Sequence, residues 1–212
     1  MKQKVVIFGL NDLAQLAEFY LLNDEYYSRY YKVHGFTVNK EYNKTGEFGD
    51  LPVWDWETLE SNEGLETIKL FAPIADNKLR EKIYKEGKEK GYEFISYISS
   101  KCTNFAYSIG ENCFILEDNT LQPFTTIGNN VVLWSGNHIG HHSTIEDNVF
   151  VTSHVVISGH CQIKKGAYLG VNSTIRDGVT IGENSVVGMG AVVTKSIPDN
   201  QTWIGSPAKQ KI

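Results

Sequence analysis

Histidine side chains are concentrated in one part of the chain. Five of the six lie in a short stretch, at His138, His141, His142, His154 and His160. Imidazole has the ordinary pKa closest to neutral pH, which makes it a common general base in group-transfer reactions. In acyl transfer such a base acts together with an N–H group that stabilises the developing oxyanion. To find the candidate base, we therefore ask which histidine the surrounding secondary structure places beside a free backbone amide.

These histidines lie inside a six-residue repeat. An aliphatic residue recurs at every sixth position without a break, at Ile109, Ile115, Leu121, Ile127, Leu133, Ile139, Ile145, Val151, Ile157, Ile163, Leu169, Ile175, Ile181, Val187 and Val193. A parallel β-helix has this period, whereas an α-helix and an amphipathic strand do not. Three hexads close one coil of about 18 residues, so we expect about five coils. In six hexads glycine follows the aliphatic residue, where we expect the backbone to turn and a side chain to be costly.

The coil length indicates which residues lie above one another. Residues one coil apart are separated by about 4.8 Å, and Gly159 lies one coil from His141. This pair combines a candidate base with an uncovered amide, so we assign both to catalysis. His142 and His160 are related in the same way, but the sequence shows no third ligand and we expect no metal. We interpret His138 and His154 as solvated turn residues.

The first hundred residues have a different pattern. Strand-like runs alternate with helical stretches, which predicts a small parallel α/β domain of the Rossmann-like kind over 1–102, followed by the β-helix domain over 103–212. We place strands at 4–8, 33–38, 68–71 and 93–98, and helices at 13–22, 55–63 and 77–90. The loop after the first strand has one glycine where an NAD fingerprint needs three, so we reject an NAD site. A phosphate can still bind at the following helix N-terminus.

Composition excludes several classes of protein. With 212 residues and a net charge of −5, the chain does not resemble a general nucleic-acid binder. No apolar run reaches the ~18 residues of a membrane span, and the first residues lack a signal-peptide layout, so we expect a cytoplasmic protein. Cys113 and Cys161 occupy a hexad position that favours small inward side chains, so both are expected in the core.

The repeat and the C-terminal tail together resemble a known family. The tail contains Val193-Thr194-Lys195-Ser196-Ile197-Pro198-Asp199 and Ile204-Gly205-Ser206-Pro207-Ala208-Lys209. These features are similar to bacterial hexapeptide-repeat acyltransferases, and specifically to sugar-nucleotide acetyltransferases of the bacillosamine and perosamine N-acetyltransferase type, grouped with sialic-acid O-acetyltransferases. The resemblance implies a left-handed parallel β-helix, acetyl-CoA as co-substrate, and a homotrimer with active sites between subunits.

The resemblance also implies roles for individual residues. His141, four residues before Ile145, matches the catalytic base, and Gly159 matches the oxyanion glycine and is also counted among the cofactor-binding residues. The positions that match cofactor contacts are Val171, Met189 and Phe150. The positions that match the nucleotide-sugar loop and its neighbours are Gly9, Asn11, Asp12, Leu13, Val38, Asn39 and Ala75. The chain departs from the bacillosamine enzyme at His142, where that enzyme has glutamate, and at Phe150, where it has histidine. Its first loop is also poorer in glycine, and Val38-Asn39 replaces an acidic pair.

The resemblance and the His141–Gly159 pair together favour one function. We expect acetyl transfer from acetyl-CoA to an amine of a nucleotide-linked amino-deoxysugar, as in bacterial surface-glycan biosynthesis, with His141 as base and no covalent intermediate. An O-acetyltransferase acting on a sugar hydroxyl is an alternative within the class. A γ-type zinc carbonic anhydrase and a non-catalytic trimeric binding module are alternatives from other classes.

Overall fold

The computed structural model describes residues 2–62 and 67–211 and divides the chain into two compact units, Met1–Ser100 and Lys101–Ile212. The first unit contains, in chain order, β1 (Gln3–Phe8), α1 (Asp12–Asn23), α2 (Glu25–Tyr30), β2 (Tyr31–Val38), a 3-10 turn (Lys40–Tyr42), β3 (Glu47–Phe48), β4 (Leu51–Asp55), a 3-10 helix (Trp56–Ser61), β5 (Lys69–Phe71), α3 (Asn77–Glu89), β6 (Glu93–Phe94) and β7 (Tyr97–Ile98).

A twisted α/β sheet forms the centre of the first unit, as predicted. Its strand order is β3-β4-β2-β1-β5-β6, and every pair is parallel except β3 with β4. β1 lies between β2 and β5, so the loops that follow these three strands share the carboxyl edge of the sheet. The chain runs from β1 outward to β4 and then crosses to β5. The boundary between β1 and β5 is therefore a topological switch point, where ligands of such sheets bind.

Side-chain caps fix where the two long helices begin. The Asn11 side chain accepts the N–H of Ala14 at 3.2 Å at the start of α1, and Asp76 accepts the N–H of Leu79 at 2.7 Å at the start of α3. Within the described residues, no helix is long and apolar enough to cross a membrane.

Several element predictions for this unit were incomplete. The pair β3 and β4 was not predicted, and the helix expected over 55–63 is a 3-10 helix that ends at Ser61, with Glu63 outside the described residues. The strand expected over 93–98 is divided into β6 and β7.

The second unit consists of very short strands at a constant spacing. They are β8 (Thr103–Asn104), β9 (Ser108–Ile109), β10 (Phe114–Ile115), β11 (Thr120–Leu121), β12 (Thr126–Ile127), β13 (Val132–Leu133), β14 (His138–Ile139), β15 (Thr144–Ile145), β16 (Phe150–Val151), β17 (Val156–Ile157), β18 (Gln162–Ile163), β19 (Tyr168–Leu169), β20 (Thr174–Ile175), β21 (Thr180–Ile181), β22 (Val186–Val187), β23 (Val192–Val193), β24 (Thr202–Ile204) and β25 (Lys209–Gln210).

From β8 to β23 every third strand pairs in parallel, as the predicted left-handed parallel β-helix requires. Ile127 of β12, for example, pairs with Ile145 of β15, 18 residues further on. The three resulting sheets are the faces of a triangular prism. The aliphatic residue of each hexad is buried inside the prism, with the exception of the half-buried Ile109 in the first coil. The six-residue period thus arises because one apolar side chain per face fills the core.

The glycines that follow the aliphatic residues lie where a side chain would be costly, as predicted. The cost does not come from a left-handed backbone, because these glycines do not have positive φ values. A Cβ on Gly140 would instead lie 2.5 Å from the carbonyl carbon of Ser158 in the next coil. The left-handed backbone occurs two residues later, where asparagine is frequent, as at Asn112 (φ 54°) and Asn130 (φ 62°). Glycine is needed where coils approach closely, and asparagine fits the corner.

Core packing along the prism predicts a strong position dependence of stability. Ile145 is fully buried, so Ile145→Ala should lower the free energy of unfolding by about 2–5 kcal/mol in urea titrations. Val156 lies in β17 of the same repeat but is 41% exposed, so Val156→Ala should change stability by less than about 0.5 kcal/mol. Equal effects of the two substitutions would contradict the assigned register.

All three cysteines are free thiols. Cys113 and Cys161 are buried, as predicted. Burial raises the pKa of the Cys161 thiol and raises that of Cys102 to about 11. Thiols with raised pKa values stay protonated near neutral pH and are poor nucleophiles.

Candidate active site

His141 lies in the exposed turn between β14 and β15. Its backbone N–H donates to Oε1 of Gln122 at 2.9 Å, which fixes the turn from the preceding coil. One edge of its ring lies over Gly159, because a Cβ on Gly159 would be 2.8 Å from Cε1 and 3.0 Å from Nε2 of His141. The structure therefore brings together the two residues that the coil length placed side by side. Only a glycine leaves room for the ring at this distance.

Within the described residues, some backbone amides at the hexad position of Gly159 donate to a side chain and others, among them those of Gly159 and Ser153, do not. Side-chain oxygens accept the N–H groups of Glu111, Asn129, His141, Lys165 and Glu183. Among residues 2–62 and 67–211, no acceptor is in hydrogen-bonding geometry with the Gly159 N–H. A donor without a partner, next to an exposed imidazole, is the arrangement that oxyanion stabilisation requires.

His142 provides the hydrogen-bond partner of His141. The Nδ1 atoms of the two rings are 3.0 Å apart, so one nitrogen donates to the other. If Nδ1 of His141 donates, its Nε2 carries a free lone pair and faces Gly159. His142 then accepts through Nδ1 and holds its own proton on Nε2. An imidazole thus lies beside His141, where the sequence has no carboxylate.

A third ring completes a cluster of exposed histidines. His160 stacks on His142 with ring centroids 5.0 Å apart and an angle of 14° between the planes, and the His141 ring is nearly perpendicular to both. One ring nitrogen from each residue lies within 4.8 Å of the others. The sequence had indicated only two neighbouring histidines, because the direction of the His141 ring does not follow from the repeat.

The two remaining histidines of the repeat lie outside this cluster. His138 is half-buried in strand β14, so its assignment to a solvated turn was wrong. His154 is an exposed turn residue with left-handed backbone (φ 58°), as predicted, and its ring lies against Gly136.

The predicted cofactor contacts lie on other parts of the prism. Val171 is 40% exposed and Met189 is 81% exposed, and they are one coil apart on a corner different from that of His141. Phe150 is 5% exposed and stacks on Tyr168 at 5.5 Å, which leaves little of its ring for a ligand. Within one chain the structure does not bring these three residues to His141, and their roles stay predictions.

The predicted substrate residues of the first unit share one edge of its sheet. Gly9 (φ 116°) ends β1 and donates its N–H to the carbonyl of Thr37 at 2.9 Å. The remaining residues are the N-terminal residues of α1 (Asn11, Asp12 and Leu13), the end of β2 (Val38 and Asn39) and the loop after β5 (Ala75). Asn11 and Asp12 are exposed, as is Ala75, so their loops are open to a ligand.

Two charged residues at this edge were not predicted as part of the site. Glu57 accepts from the Asn39 side chain at 2.9 Å and from the Lys40 N–H at 3.0 Å, and the bond from Asn39 holds the pKa of its carboxyl below the usual value. Arg80 is fully buried and donates to the carbonyl oxygens of Ile74 at 2.6 Å and Ala75 at 3.3 Å, which fixes the loop after β5. No local pattern connects either residue to these loops.

Comparison with known proteins identifies the repeat. The model of the bacterial transferase hexapeptide (six repeats) matches residues 107–141, 124–159 and 160–195. Together these segments span residues 107–195, so this part of the chain is similar to the hexapeptide repeats of bacterial transferases. His141 and Gly159 both lie inside the matched hexapeptide segments.

Relatives of the hexapeptide repeat include sugar acetyltransferases. The chain is 49% identical over 53 residues to dTDP-3-amino-3,6-dideoxy-α-D-galactopyranose 3-N-acetyltransferase of Aneurinibacillus thermoaerophilus, covering 25% of this chain and 28% of that protein. It is 32% identical over 104 residues to galactoside O-acetyltransferase of Escherichia coli, covering 46% of each. The chain thus spans less than half the length of these curated relatives.

The likeness to solved structures covers both units of the chain. A histidine-to-asparagine variant of perosamine N-acetyltransferase from Caulobacter crescentus, in complex with CoA and GDP-perosamine, superposes with a TM-score of 0.86. The two chains are 23% identical, and the match covers 98% of this chain and 96% of the other. At this identity the likeness shows only that the two proteins share a fold, in the hexapeptide domain and in the α/β domain.

Proposed function

We propose that this protein transfers acetyl from acetyl-CoA to an amine of a nucleotide-linked amino-deoxysugar, as a step in surface-glycan biosynthesis. The observation that carries the proposal is the Nε2 edge of His141 lying over Gly159, whose N–H is free to bind an oxyanion. The N-acetyltransferases among the relatives and neighbours support the same class of reaction.

The acetyl group passes directly from the thioester to the substrate amine, without a covalent enzyme intermediate. The substrate amine attacks this carbon while Nε2 of His141 accepts its proton, and the Gly159 N–H stabilises the tetrahedral oxyanion by about 3 kcal/mol. Collapse breaks the carbon–sulfur bond, and the His141 imidazolium returns the proton to the leaving thiolate. No enzyme thiol takes part, since Cys113 and Cys161 are buried in the prism.

His142 acts as a positioning residue in this scheme. Its Nδ1 accepts from Nδ1 of His141 and holds the tautomer in which Nε2 is the base. Left-handed backbone at His142 (φ 58°) directs its ring back toward His141. Asparagine fits the same backbone, so His142→Asn removes the ring without straining the turn.

A neighbouring carboxylate favours an amine over a hydroxyl as acceptor. Asp177 lies one coil beyond Gly159, and its Oδ1 would be 3.1 Å from a Cβ on that glycine. A negative charge at this distance attracts an ammonium group as it enters the site, and the ammonium releases one proton to solvent before the neutral amine attacks. A sugar hydroxyl gains less from this charge and is a weaker acid, which makes O-acetylation the second candidate.

The acetyl-CoA site and the active site require more than one chain in this proposal. Val171 and Met189 form an exposed apolar corner that is distinct from the corner carrying His141. Different corners of one prism point away from each other. The corner with Val171 and Met189 can therefore face the corner with His141 only when a second prism packs alongside the first. We therefore propose a homotrimer in which pantetheine passes Val171, Met189 and Phe150 of one subunit to reach His141 of the next.

The nucleotide is proposed to bind at the switch point of the first unit. The α1 N-terminus, with Asn11, Asp12 and Leu13, offers free amides to a phosphate beside the sharp backbone at Gly9. Val38, Asn39 and Ala75 form the neighbouring walls, and Glu57 supplies a carboxylate for a ribose hydroxyl. Binding energy from the nucleotide orients the amine for attack.

A panel of acceptors tests the proposed function. Purified protein is mixed with acetyl-CoA and with UDP-, dTDP- or GDP-linked amino sugars, or with the matched sugars that carry a hydroxyl in place of the amine, while free thiol and product mass are followed together. Carbon dioxide hydration is assayed separately. We expect thiol release matched by one acetyl group on one class of acceptor. Thiol release with a hydroxyl sugar alone would favour O-acetylation, and no release with any acceptor would favour a binding module. Carbon dioxide hydration would favour a carbonic anhydrase.

A further inference from the structure

The three clustered histidines form a donor set that suits a metal ion. We propose that His141, His142 and His160 of one chain bind a divalent transition-metal ion of the zinc class, and that this ion blocks the base. Their ligand nitrogens already lie within 4.8 Å of one another. The inhibitory effect depends on the proposed function, whereas metal binding by the three rings does not.

The register of the β-helix creates the cluster. His142 and His160 occupy the same corner in successive coils, and both have left-handed backbone, with φ of 58° and 55°. Their rings therefore project in parallel, stacked at 5.0 Å, and the ring of His141 crosses them at 87°. Below His142 the column continues with Phe124, whose ring is 4.7 Å away and packs against this imidazole.

Small ring rotations bring the three nitrogens to coordination distance. Tetrahedral zinc with Zn–N bonds of about 2.0–2.1 Å requires nitrogens about 3.4 Å apart. The Nδ1 atoms of His141 and His142 are already 3.0 Å apart. All three side chains are exposed, so their rings turn without displacing core residues and a water can complete the coordination.

The chemistry of the donors selects the class of metal. Three neutral imidazoles without a carboxylate favour Zn²⁺, Co²⁺, Ni²⁺ or Cu²⁺ over Mg²⁺ and Ca²⁺, which prefer oxygen ligands. A neutral imidazole has one nitrogen with a free lone pair. When the metal takes the lone pair of His141, the other nitrogen carries the proton, and the ring no longer accepts one from a substrate amine.

Metal binding can be measured without reference to activity. Chelator-treated full-length protein is titrated with Zn²⁺ by calorimetry and with Co²⁺ by visible spectroscopy, which reports the coordination geometry. The key variant is His160→Asn, which keeps a residue suited to left-handed backbone and removes one ligand. The matched control is His154→Asn, the same substitution at an exposed left-handed position (φ 58°) outside the cluster.

We expect one ion per chain in the wild type and in His154→Asn, and an affinity at least roughly 10–100-fold lower in His160→Asn, because loss of even an outer-shell partner costs this much. Zinc should inhibit acetyl transfer by the wild type, and His160→Asn should need at least tenfold more zinc for the same inhibition.

Equal affinity in the wild type and His160→Asn, or octahedral Co²⁺ throughout, would overturn the site. Tight binding without inhibition would overturn only the block of the base. A protein that binds zinc but transfers acetyl to no acceptor would refute the proposed function and leave the site standing.

Discussion

Replacing His141 with alanine is expected to lower kcat for acetyl transfer by about 10²–10⁴-fold, the usual contribution of a general base. Nε2 of the imidazole lies over Gly159, 3.0 Å from the position of a Cβ on that residue. The ring is exposed, so its removal leaves no cavity and the melting temperature should change little. Thiol release under saturating acetyl-CoA and acceptor measures the effect, and circular dichroism checks the fold.

Two other histidine variants separate catalysis from general damage to the repeat. His138→Ala removes a half-buried ring of β14 outside the cluster and should keep turnover close to that of the wild type. His142→Asn should lower kcat less than His141→Ala and shift the pH profile, because it removes the partner of Nδ1 and leaves the base in place. Turnover within tenfold of the wild type in His141→Ala would show that another group is the base.

The second large effect is expected from Gly159→Ala. The added Cβ would lie 2.8 Å from Cε1 of His141, closer than van der Waals contact permits, so the flexible imidazole must move. A displacement of about 1 Å at a reacting group can cost 10²-fold in rate, so we expect kcat to fall by about that factor. The backbone does not need to shift, so thermal stability should stay near that of the wild type.

A double variant shows whether Gly159 acts through His141. When two residues serve one step, removing the second adds little to the loss from the first. Gly159→Ala in the His141→Ala background should therefore have nearly the kcat of His141→Ala alone. Losses that multiply in the double variant would mean that Gly159 affects turnover by a route independent of the ring.

The repeat was predictable because its signal is local and strict. One inward aliphatic side chain per hexad fixes the period, and the period fixes which residues pair between coils, including His141 with Gly159. Backbone detail inside the hexad was harder, since the closeness of neighbouring coils at Gly140 and the left-handed corner at His142 follow from three-dimensional packing. The repeat does not determine the direction of the histidine rings. The third member of the histidine cluster was therefore found only from the side-chain positions in the structure.

The first unit was less predictable because its contacts are not local. β3 has two residues and β4 contains Pro52, so neither has the length or alternation of a strand signal. Glu57 reaches Asn39 from a 3-10 helix, and Arg80 fixes the loop at Ala75 from inside α3. A buried arginine cannot be distinguished from a solvated one by sequence pattern alone.

The bond formed in the product is the most direct test of amine acetylation. Acetyl-CoA labelled with ¹³C at the carbonyl is incubated with the enzyme and with the accepted nucleotide sugar carrying ¹⁵N at its amine. We predict a product whose ¹³C carbonyl signal is split by one-bond coupling to ¹⁵N, formed by the wild type and not by His141→Ala. A carbonyl signal without that coupling, from an ester or from free acetate, would contradict the proposed N-acetyltransferase.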